Sequence, residues 1–455
     1  MQINRSILFL FVISLFVNAF TNSIKFPAGF HKGTGISVYQ NGGHLIGESN
    51  WSNFENAFVY ANAKQLCGPA IKNDEKVGRA AGFWDLAFDD IKLIKELGCN
   101  AFRFSIEWPE VEPIQGVFND EVLDFYERYV DELIKNNITP MITLYHFVHP
   151  LWFEKMGGFE SEENIALFVR YCQKVFERLG KKVKFWGTIN EPTVVAACGY
   201  VLGIHPPGKC LRFTKSAQVL CNLLNAHVET YCALKKMPNG NQAQIGIIHQ
   251  VLQAETFNPV FATNWLIGLM RKYTGFPLAQ FLNKVFAHNV TKKFLKTGEF
   301  EYRIPGLTTV KLYNPDAPNS YDFIGMNFYS KVVFGPGPTC YPHQQMTDMD
   351  YPMSPETLYQ AIVDLSDLGK PIYITENGVA DAKDCLRENF IREYLSSVQK
   401  AIADGYDVRG YYYWTLMDNF EWNDGFSMKF GLYDVDFITQ KRTLRKGAEI
   451  YRDMV

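Results

Sequence analysis

The chain has 455 residues, of which 47% are hydrophobic and 15% aromatic, a composition that excludes wholesale disorder and allows a large core. Its formal net charge is only −3, so the charge balance indicates neither nucleic acid nor an anionic membrane surface as a partner. Its nine cysteines form no CxxC pair and no Cys/His cluster with metal-ligand spacing, and we therefore expect no metal and no cofactor. Cys210 and Cys221 flank a short segment and are the one pair considered as a disulfide.

The first 19 residues are predicted to be a signal peptide. Arg5 precedes an apolar run at 7–17, and Val17-Asn18-Ala19 offers small residues suited to cleavage after Ala19. The run is too short to span a bilayer, although an uncleaved anchor remains the alternative, and no other stretch is long and apolar enough to cross one. We expect an exported protein, whether extracellular, periplasmic or lumenal, without a stable membrane span after cleavage.

From residue 20 to residue 455 the sequence alternates between strand-like and helix-like segments, with no linker or composition break that would mark a second domain. The predicted strands lie at 33–40, 101–106, 140–146, 185–190, 244–250, 321–329, 371–376 and 408–414. The predicted helices include an amphipathic run from Trp84 to Leu97, a helix capped by Asn119, and segments 161–179, 213–235, 355–368, 386–404 and 444–453.

Eight strands separated by helices predict a single α/β domain, a closed (β/α)8 TIM barrel with its active site at the C-terminal strand ends. A doubly wound open sheet is the alternative fold. No Gly-rich phosphate-binding fingerprint follows an early strand to support that alternative.

Two of the predicted strands end in a glutamate. Glu191 follows the apolar run 185–190, and Glu376 ends the run 371–376, where Gly378 is expected to let the backbone turn away. A single glutamate at a strand end is usually a solvated loop residue. A pair has a chemical use, because glycoside hydrolysis needs one carboxyl group to protonate the leaving oxygen and another to attack or stabilise the oxocarbenium-like centre.

The sequences TINEP at 188–192 and ITENG at 374–378 resemble the acid/base and nucleophile signatures of glycoside hydrolase family 1, the β-glucosidase family. Their order and wide separation match that family as well. The resemblance extends over nearly the whole mature chain, through 102–108 and 323–329, and is closest at 414–422 with 430–432, which is similar to the segment that binds the non-reducing sugar.

The resemblance implies a role for each matching residue. Glu191 would be the general acid and then the general base, with a raised pKa, and Glu376 would be the ionised nucleophile held by Arg103 and Tyr329. The product would retain the β-configuration through a covalent glycosyl-enzyme, which predicts carboxyl groups roughly 5 to 5.5 Å apart. The implied substrate-binding residues are Gln40, His146, Asn190 at the sugar 2-hydroxyl, Asn327, Trp414 as the stacking floor, Glu421 and Trp422.

Simpler structural roles compete with some of these assignments. Arg103 could form an ordinary buried ion pair in the barrel, His146 could be a core histidine, and Trp414 could serve packing alone. The convergence of all these residues on the same strand ends favours the catalytic interpretation.

The substrate expected from the resemblance is a small β-D-glucoside, with β-D-galactosides or β-D-fucosides as side substrates. Phe147 follows His146 where many β-glucosidases have Trp, as in the 6-phospho-glycosidase branch, but Glu421 would repel a 6-phosphate. Transglycosylation and a catalytically silent sugar-binding role are further alternatives, and retention of Glu191 and Glu376 argues against the last. The sequence does not indicate the natural aglycone or the oligomeric state.

Overall fold

A computed structural model describes residues 25–61, 64–256, 273, 276–334, 340 and 344–453, so the predicted signal peptide lies outside the described residues. Eight parallel strands close into a barrel in the order β1-β8-β7-β6-β5-β4-β3-β2, which confirms the predicted fold. They are β1 His31–Gly35, β2 Ala101–Ser105, β3 Thr139–Tyr145, β4 Phe185–Asn190, β5 Gln244–Gln250, β6 Phe323–Asn327, β7 Ile372–Asn377 and β8 Val408–Trp414.

Eight longer or terminal helices follow these strands. They are α1 Phe83–Glu96, α2 Asp120–Lys135, α3 Ile165–Leu179, α4 Phe213–Lys236, α5 His288–Thr297, α6 Pro355–Ser366, α7 Arg387–Ala403 and α8 Glu449–Asp453. Asn119 caps α2 as predicted, because its side-chain oxygen accepts the N–H groups of Glu121 and Val122. In the described part of the chain, no helix is long and apolar enough to cross a membrane.

Further helices and strands lie in the connections around the barrel. Further α-helices span Val38–Gly42, Asn50–Phe54, Trp108–Val111, Leu151–Lys155, Pro192–Tyr200 and Phe276–Val285. Short 3-10 helices span Lys72–Asp74, Gly158–Glu160, Glu162–Asn164, Ala317–Asn319, Trp422–Asp424 and Lys446–Ala448. Four two-stranded sheets pair Phe58–Val59 with Gly68–Pro69, Gln253–Thr256 with Lys331–Phe334, Glu299–Ile304 with Thr308–Tyr313, and Tyr433–Val435 with Arg442–Leu444.

Three predictions need correction. The first strand ends at Gly35 and not at residue 40, because the chain turns there into the helix Val38–Gly42. The last helix begins at Glu449, after the strand Arg442–Leu444, and not at residue 444. Cys210 and Cys221 are free thiols: Cys221 is buried on α4, whereas the Cys210 thiol donates to the carbonyl oxygen of Val201.

An apolar cluster, which we call the plug, closes the N-terminal end of the barrel. The inward-facing residues beyond it lie toward the C-terminal end. The plug consists of Ala101, Met141, Phe185, Phe323, Tyr373 and Tyr412, one from each of six strands. Because side chains alternate along a strand, the next inward-facing residues lie two positions further on. In β2, β3 and β8 these are Arg103, Thr143 and Trp414.

Alternation alone does not explain why Glu376 faces inward beside Thr375. The pairing of β7 with β8 shifts register between Ile374 and Asn377, and β4 and β6 are irregular at Asn190 and Asn327. Such irregularities re-aim side chains at the ends of strands. They turn Glu376 and Asn190, which strict alternation would point away from the barrel mouth, into it.

Candidate active site

The C-terminal strand ends surround a cavity of about 820 Å³, including its open mouth. Both glutamates singled out from the sequence line it, as do His146, Tyr329 and Trp414. Glu421 and Trp422, which follow β8, complete the same cavity. The structure therefore brings the two predicted catalytic residues and most of the predicted sugar-binding residues together at one opening.

Glu376 is held by two donors, one on β2 and one just beyond the end of β6. Arg103 Nη1 lies 2.6 Å from Glu376 Oε1, and the Tyr329 hydroxyl donates to Oε2 across 2.7 Å. Arg103 also donates to Thr143 Oγ1 and, through Nη2, to Asn190 Oδ1. A guanidinium cation and a phenol hydroxyl both favour a carboxylate that carries its charge, as a nucleophile must.

The surroundings of Glu191 favour the neutral, protonated form of its carboxyl group. Burial, followed by the negative charge of Glu376, raises the pKa of Glu191 to about 8, although the Asn327 amide donates to its Oε1 across 2.8 Å. Its backbone has φ 48° in the left-handed region, between β4 and the helix that begins at Pro192. Non-glycine residues rarely adopt this conformation, and such strain is concentrated at functional sites.

Further polar groups lie in the cavity around Glu421. The Gln40 amide donates to Glu421 Oε2 across 3.1 Å, and burial raises the pKa of Glu421 to about 8. Gln40 Oε1 and His146 Nδ1 are buried but have no hydrogen-bond partner among the residues that the structure describes. Buried polar atoms of this kind require an explanation, and sugar hydroxyls would supply the missing partners.

Gln40 reaches the site from a position that its predicted strand would not give it. It lies on the turn of helix that follows β1, where its amide also donates to the Phe420 carbonyl oxygen. Tyr329 likewise lies two residues beyond the end of β6. Both residues belong to segments that follow the strands, and not to the strands in which the sequence pattern placed them.

Aromatic rings form one side of the cavity. Trp414 packs nearly parallel to the His146 imidazole, with centroids 5.7 Å apart, and burial lowers the pKa of His146 well below its usual value. Trp422 contacts the rings of Trp51 and Phe147. Phe147, where many β-glucosidases have Trp, therefore lines the cavity and packs against Trp422.

Gln250 is a site residue that sequence reasoning missed. With its amide nitrogen turned toward the carboxylate, Gln250 donates to Glu191 Oε1 across 2.8 Å and to the Asn327 carbonyl oxygen across 3.2 Å. It is the last residue of β5, so the rule that strand ends carry the chemistry would have found it. His205 and Tyr351 also line the cavity, but they lie in loops that carry no recognisable signal.

No group of three or more His, Cys, Asp or Glu residues suited to a metal ion occurs in the described ranges. The cavity presents the carboxyl groups of Glu191 and Glu376 in different surroundings. One is buried with a raised pKa, and the other is paired with a cation. A (β/α)8 barrel that presents these two carboxyl groups at its C-terminal end has the design of a glycoside hydrolase.

Comparison with known proteins gives the same class and identifies the family. The family model for glycosyl hydrolase family 1 matches residues 22–455. The chain is similar to β-glucosidase A of Thermotoga maritima, with 30% identity over 95% of this chain and 98% of that protein. It is also similar to a 6-phospho-β-galactosidase of Clostridium acetobutylicum, with 32% identity over 84% of this chain and 90% of that protein.

A solved β-glycosidase from Pyrococcus horikoshii superimposes with a TM-score of 0.78 and 33% identity, covering 95% of both chains. The chain belongs to glycosyl hydrolase family 1. It is an enzyme of the glycoside hydrolase class.

Proposed function

We propose that this enzyme is a retaining β-glycosidase that removes terminal non-reducing β-D-glucosyl residues, with β-D-galactosides and β-D-fucosides as side substrates. The observation that carries the proposal is the contrast between the two glutamates. Burial raises the pKa of Glu191 to about 8, whereas Arg103 forms an ion pair with Glu376. Near neutral pH the carboxyl group of Glu191 keeps a proton that it can donate, and the carboxyl group of Glu376 is paired with a cation.

In the first step, a Glu376 oxygen attacks the anomeric carbon while the bond from that carbon to the leaving oxygen breaks. Glu191 transfers its proton to the leaving oxygen, so the aglycone departs as a neutral alcohol. In the second step, ionised Glu191 takes a proton from water, the resulting hydroxide attacks the same carbon, and Glu376 leaves. Two inversions at one carbon give overall retention.

Asn190 would contact the sugar 2-hydroxyl, and its side chain is already oriented by Arg103 and Asn327, which both donate to Oδ1. Such a hydrogen bond strengthens as the oxocarbenium-like state forms. Gln40, His146 and Glu421 would bind the remaining hydroxyls. The Trp414 ring would stack on the apolar face of the sugar.

A 6-phospho-β-glycosidase is the second candidate, since one relative carries the name 6-phospho-β-galactosidase. Glu421 argues against it. Its carboxyl group is buried beside Gln40, and no lysine or arginine is among the described residues that line the cavity, so a 6-phosphate would lose water there without gaining a cationic partner. Transglycosylation shares the glycosyl-enzyme and differs only in the acceptor.

Release of nitrophenol from β-glucoside, β-galactoside, β-fucoside and 6-phospho-β-glucoside tests the proposal. Glu376→Gln should abolish turnover, whereas Glu388→Gln, which changes an exposed glutamate on α7, should leave it intact. Proton NMR of the first product formed should show the β-anomer. Turnover of the phosphorylated compound alone would establish the second candidate, and an α-anomeric first product would rule out retention.

We also propose that the chain is exported and that residues 1–19 are removed, leaving a single catalytic domain from residue 20. The apolar run at 7–17 and the small residues before position 20 support this proposal. N-terminal sequencing of protein from the native host's culture medium or secretory compartments should begin at Phe20. Recovery of the protein only in the cytosol with Met1 intact would contradict it.

A further inference from the structure

One wall of the catalytic cavity is apolar. It consists of Val194, Cys198, Leu252 and Val332, which we call the apolar wall. Val194 and Cys198 lie one helical turn apart on Pro192–Tyr200, Leu252 follows β5, and Val332 lies on the strand Lys331–Phe334 beyond β6. A buried thiol such as Cys198 packs as a small hydrophobic group.

The apolar wall lies on the side of the cavity where the leaving group must be. Glu191 immediately precedes the helix that carries Val194, and Gln250, which contacts Glu191, precedes Leu252 by two residues. A general acid must be within hydrogen-bonding distance of the glycosidic oxygen. The aglycone attached to that oxygen is therefore placed against residues that follow β4, β5 and β6.

Polar groups beside the apolar wall are engaged within the protein. The Ser330 hydroxyl donates to the Pro352 carbonyl oxygen, and the Gln250 amide is bound to Glu191 and to the Asn327 carbonyl oxygen. Lys331, the neighbour of Val332, pairs with Glu255. His205 packs among the rings of Trp51, Phe147 and Trp422, which follow β1, β3 and β8.

Among the residues that the structure describes, the polar groups named above are already engaged, so a sugar in the leaving-group position would bury hydroxyls against the apolar wall without new partners from them, which is unfavourable. An alkyl or aryl group would instead bury apolar surface. We propose that the leaving-group subsite binds a hydrophobic aglycone, so that the substrates are β-glycosides of apolar alcohols and not oligosaccharides. This inference rests on the proposed β-glycosidase function and names the substrate class of the same site.

The n-alkyl β-glucosides from methyl to octyl test the inference, because their leaving alcohols are almost equally basic and differ mainly in apolar surface. Full burial of a methylene group corresponds to a gain of about fourfold in kcat/KM. We expect kcat/KM to rise at least tenfold from methyl to octyl β-glucoside. We expect cellobiose to be hydrolysed at least tenfold less efficiently than octyl β-glucoside.

Val332→Thr makes the apolar wall polar with little change in shape. Val333→Thr is the matched control, since Val333 is the next residue of the same strand, is buried and does not line the cavity. The octyl-to-methyl ratio of kcat/KM should fall at least threefold in Val332→Thr and stay near the wild-type ratio in Val333→Thr. Cys198→Ser makes a similar change from the neighbouring helix and should lower the same ratio.

The alkyl series distinguishes failure of the hydrophobic subsite from failure of the proposed β-glycosidase function. If the wild-type enzyme hydrolyses glucosides but shows a flat alkyl series, or prefers cellobiose, the hydrophobic subsite is refuted while the β-glycosidase function stands. If well-folded enzyme hydrolyses no glycoside at all, the proposed function fails and this inference fails with it.

Discussion

Arg103 and Glu376 form an ion pair across the barrel mouth, with 2.6 Å between Nη1 and Oε1 and side chains that are 0% and 4% exposed. The same guanidinium bonds Thr143 on β3 and Asn190 on β4. One planar side chain thus sets the positions of Glu376 on β7 and of the Asn190 amide that immediately precedes Glu191. Arginine suits this task because its donors leave in fixed directions.

Arg103→Lys should therefore lower kcat/KM by on the order of 100-fold or more, although it keeps the positive charge. An ammonium group cannot reproduce the fork that reaches Glu376 and Asn190 together. Steady-state kinetics on an aryl β-glucoside would measure the loss. Arg409→Lys, in an exposed pair with Asp407, is the control and should behave as wild type. Equal activity of the two variants would show that charge alone is required at position 103.

Tyr329→Phe removes the 2.7 Å hydrogen bond to Glu376 Oε2 while preserving the ring. A hydrogen bond to a charged group contributes about 1.5–3 kcal/mol, so we expect kcat/KM to fall about 10- to 100-fold. Tyr313→Phe, at an exposed tyrosine, controls for the substitution itself. Unchanged kinetics in Tyr329→Phe would mean that Arg103 alone orients the nucleophile.

The pH dependence of kcat/KM should report Glu191. The first step requires its protonated form, and because its pKa is raised to about 8, kcat/KM should fall as the pH rises through about 8. Gln250→Leu removes a donor to the Glu191 carboxylate. Since that donor favours the ionised form, its loss should raise the pKa of Glu191 and move the alkaline limb to higher pH. A shift to lower pH would contradict the assigned contact.

Glu107 should make the protein less stable as the pH rises. Burial raises the pKa of this carboxyl group from 4.5 to about 8, so between these values the folded state keeps a proton that the unfolded state loses. The free energy of unfolding therefore falls with rising pH, by up to about 1.4 kcal/mol per pH unit for one such group. Glu107→Gln removes this contribution, and its Tm relative to wild type should increase from pH 5 to pH 8. A constant Tm difference across that range would show that Glu107 titrates normally.

Gly378→Ala should destabilise the enzyme and impair catalysis together. A Cβ at Gly378 would lie 1.8 Å from the Trp414 carbonyl oxygen, so β7 and β8 would have to separate beside Glu376 and Trp414. Gly116→Ala is the control, since no atom lies within 4 Å of its Cβ position and only its φ of +80° is unfavourable for alanine. Thermal unfolding and kinetics should show the larger loss in Gly378→Ala, and a smaller loss than in Gly116→Ala would contradict the contact.

The requirement for glycine at position 378 comes from a contact that the local sequence does not show. The sequence suggested that this glycine lets the backbone turn away after Glu376, but its φ is not in the positive range. Glycine is required there because another strand's backbone passes too close for a side chain. Local pattern cannot reveal that contact, since Trp414 is far away along the chain.

The number and order of the barrel strands could be predicted from the amino-acid sequence alone, and so could the positions of Glu191 and Glu376 at the ends of two of them. Strand formation follows the local period of apolar residues, and a closed barrel places every strand's C-terminal end on one face, so residues far apart in sequence can be assigned to one site. The catalytic roles of these residues remain predictions.

How these side chains meet could not be predicted, because it depends on the packing of distant segments. The register shifts turn Glu376 and Asn190 into the barrel mouth, the helical turn after β1 carries Gln40 to Glu421, and Gln250 contacts Glu191. The raised pKa of Glu191 likewise results from burial and from the charge of Glu376. Each of these features depends on contacts between segments that are distant in the chain, where neither residue preference nor periodicity carries information.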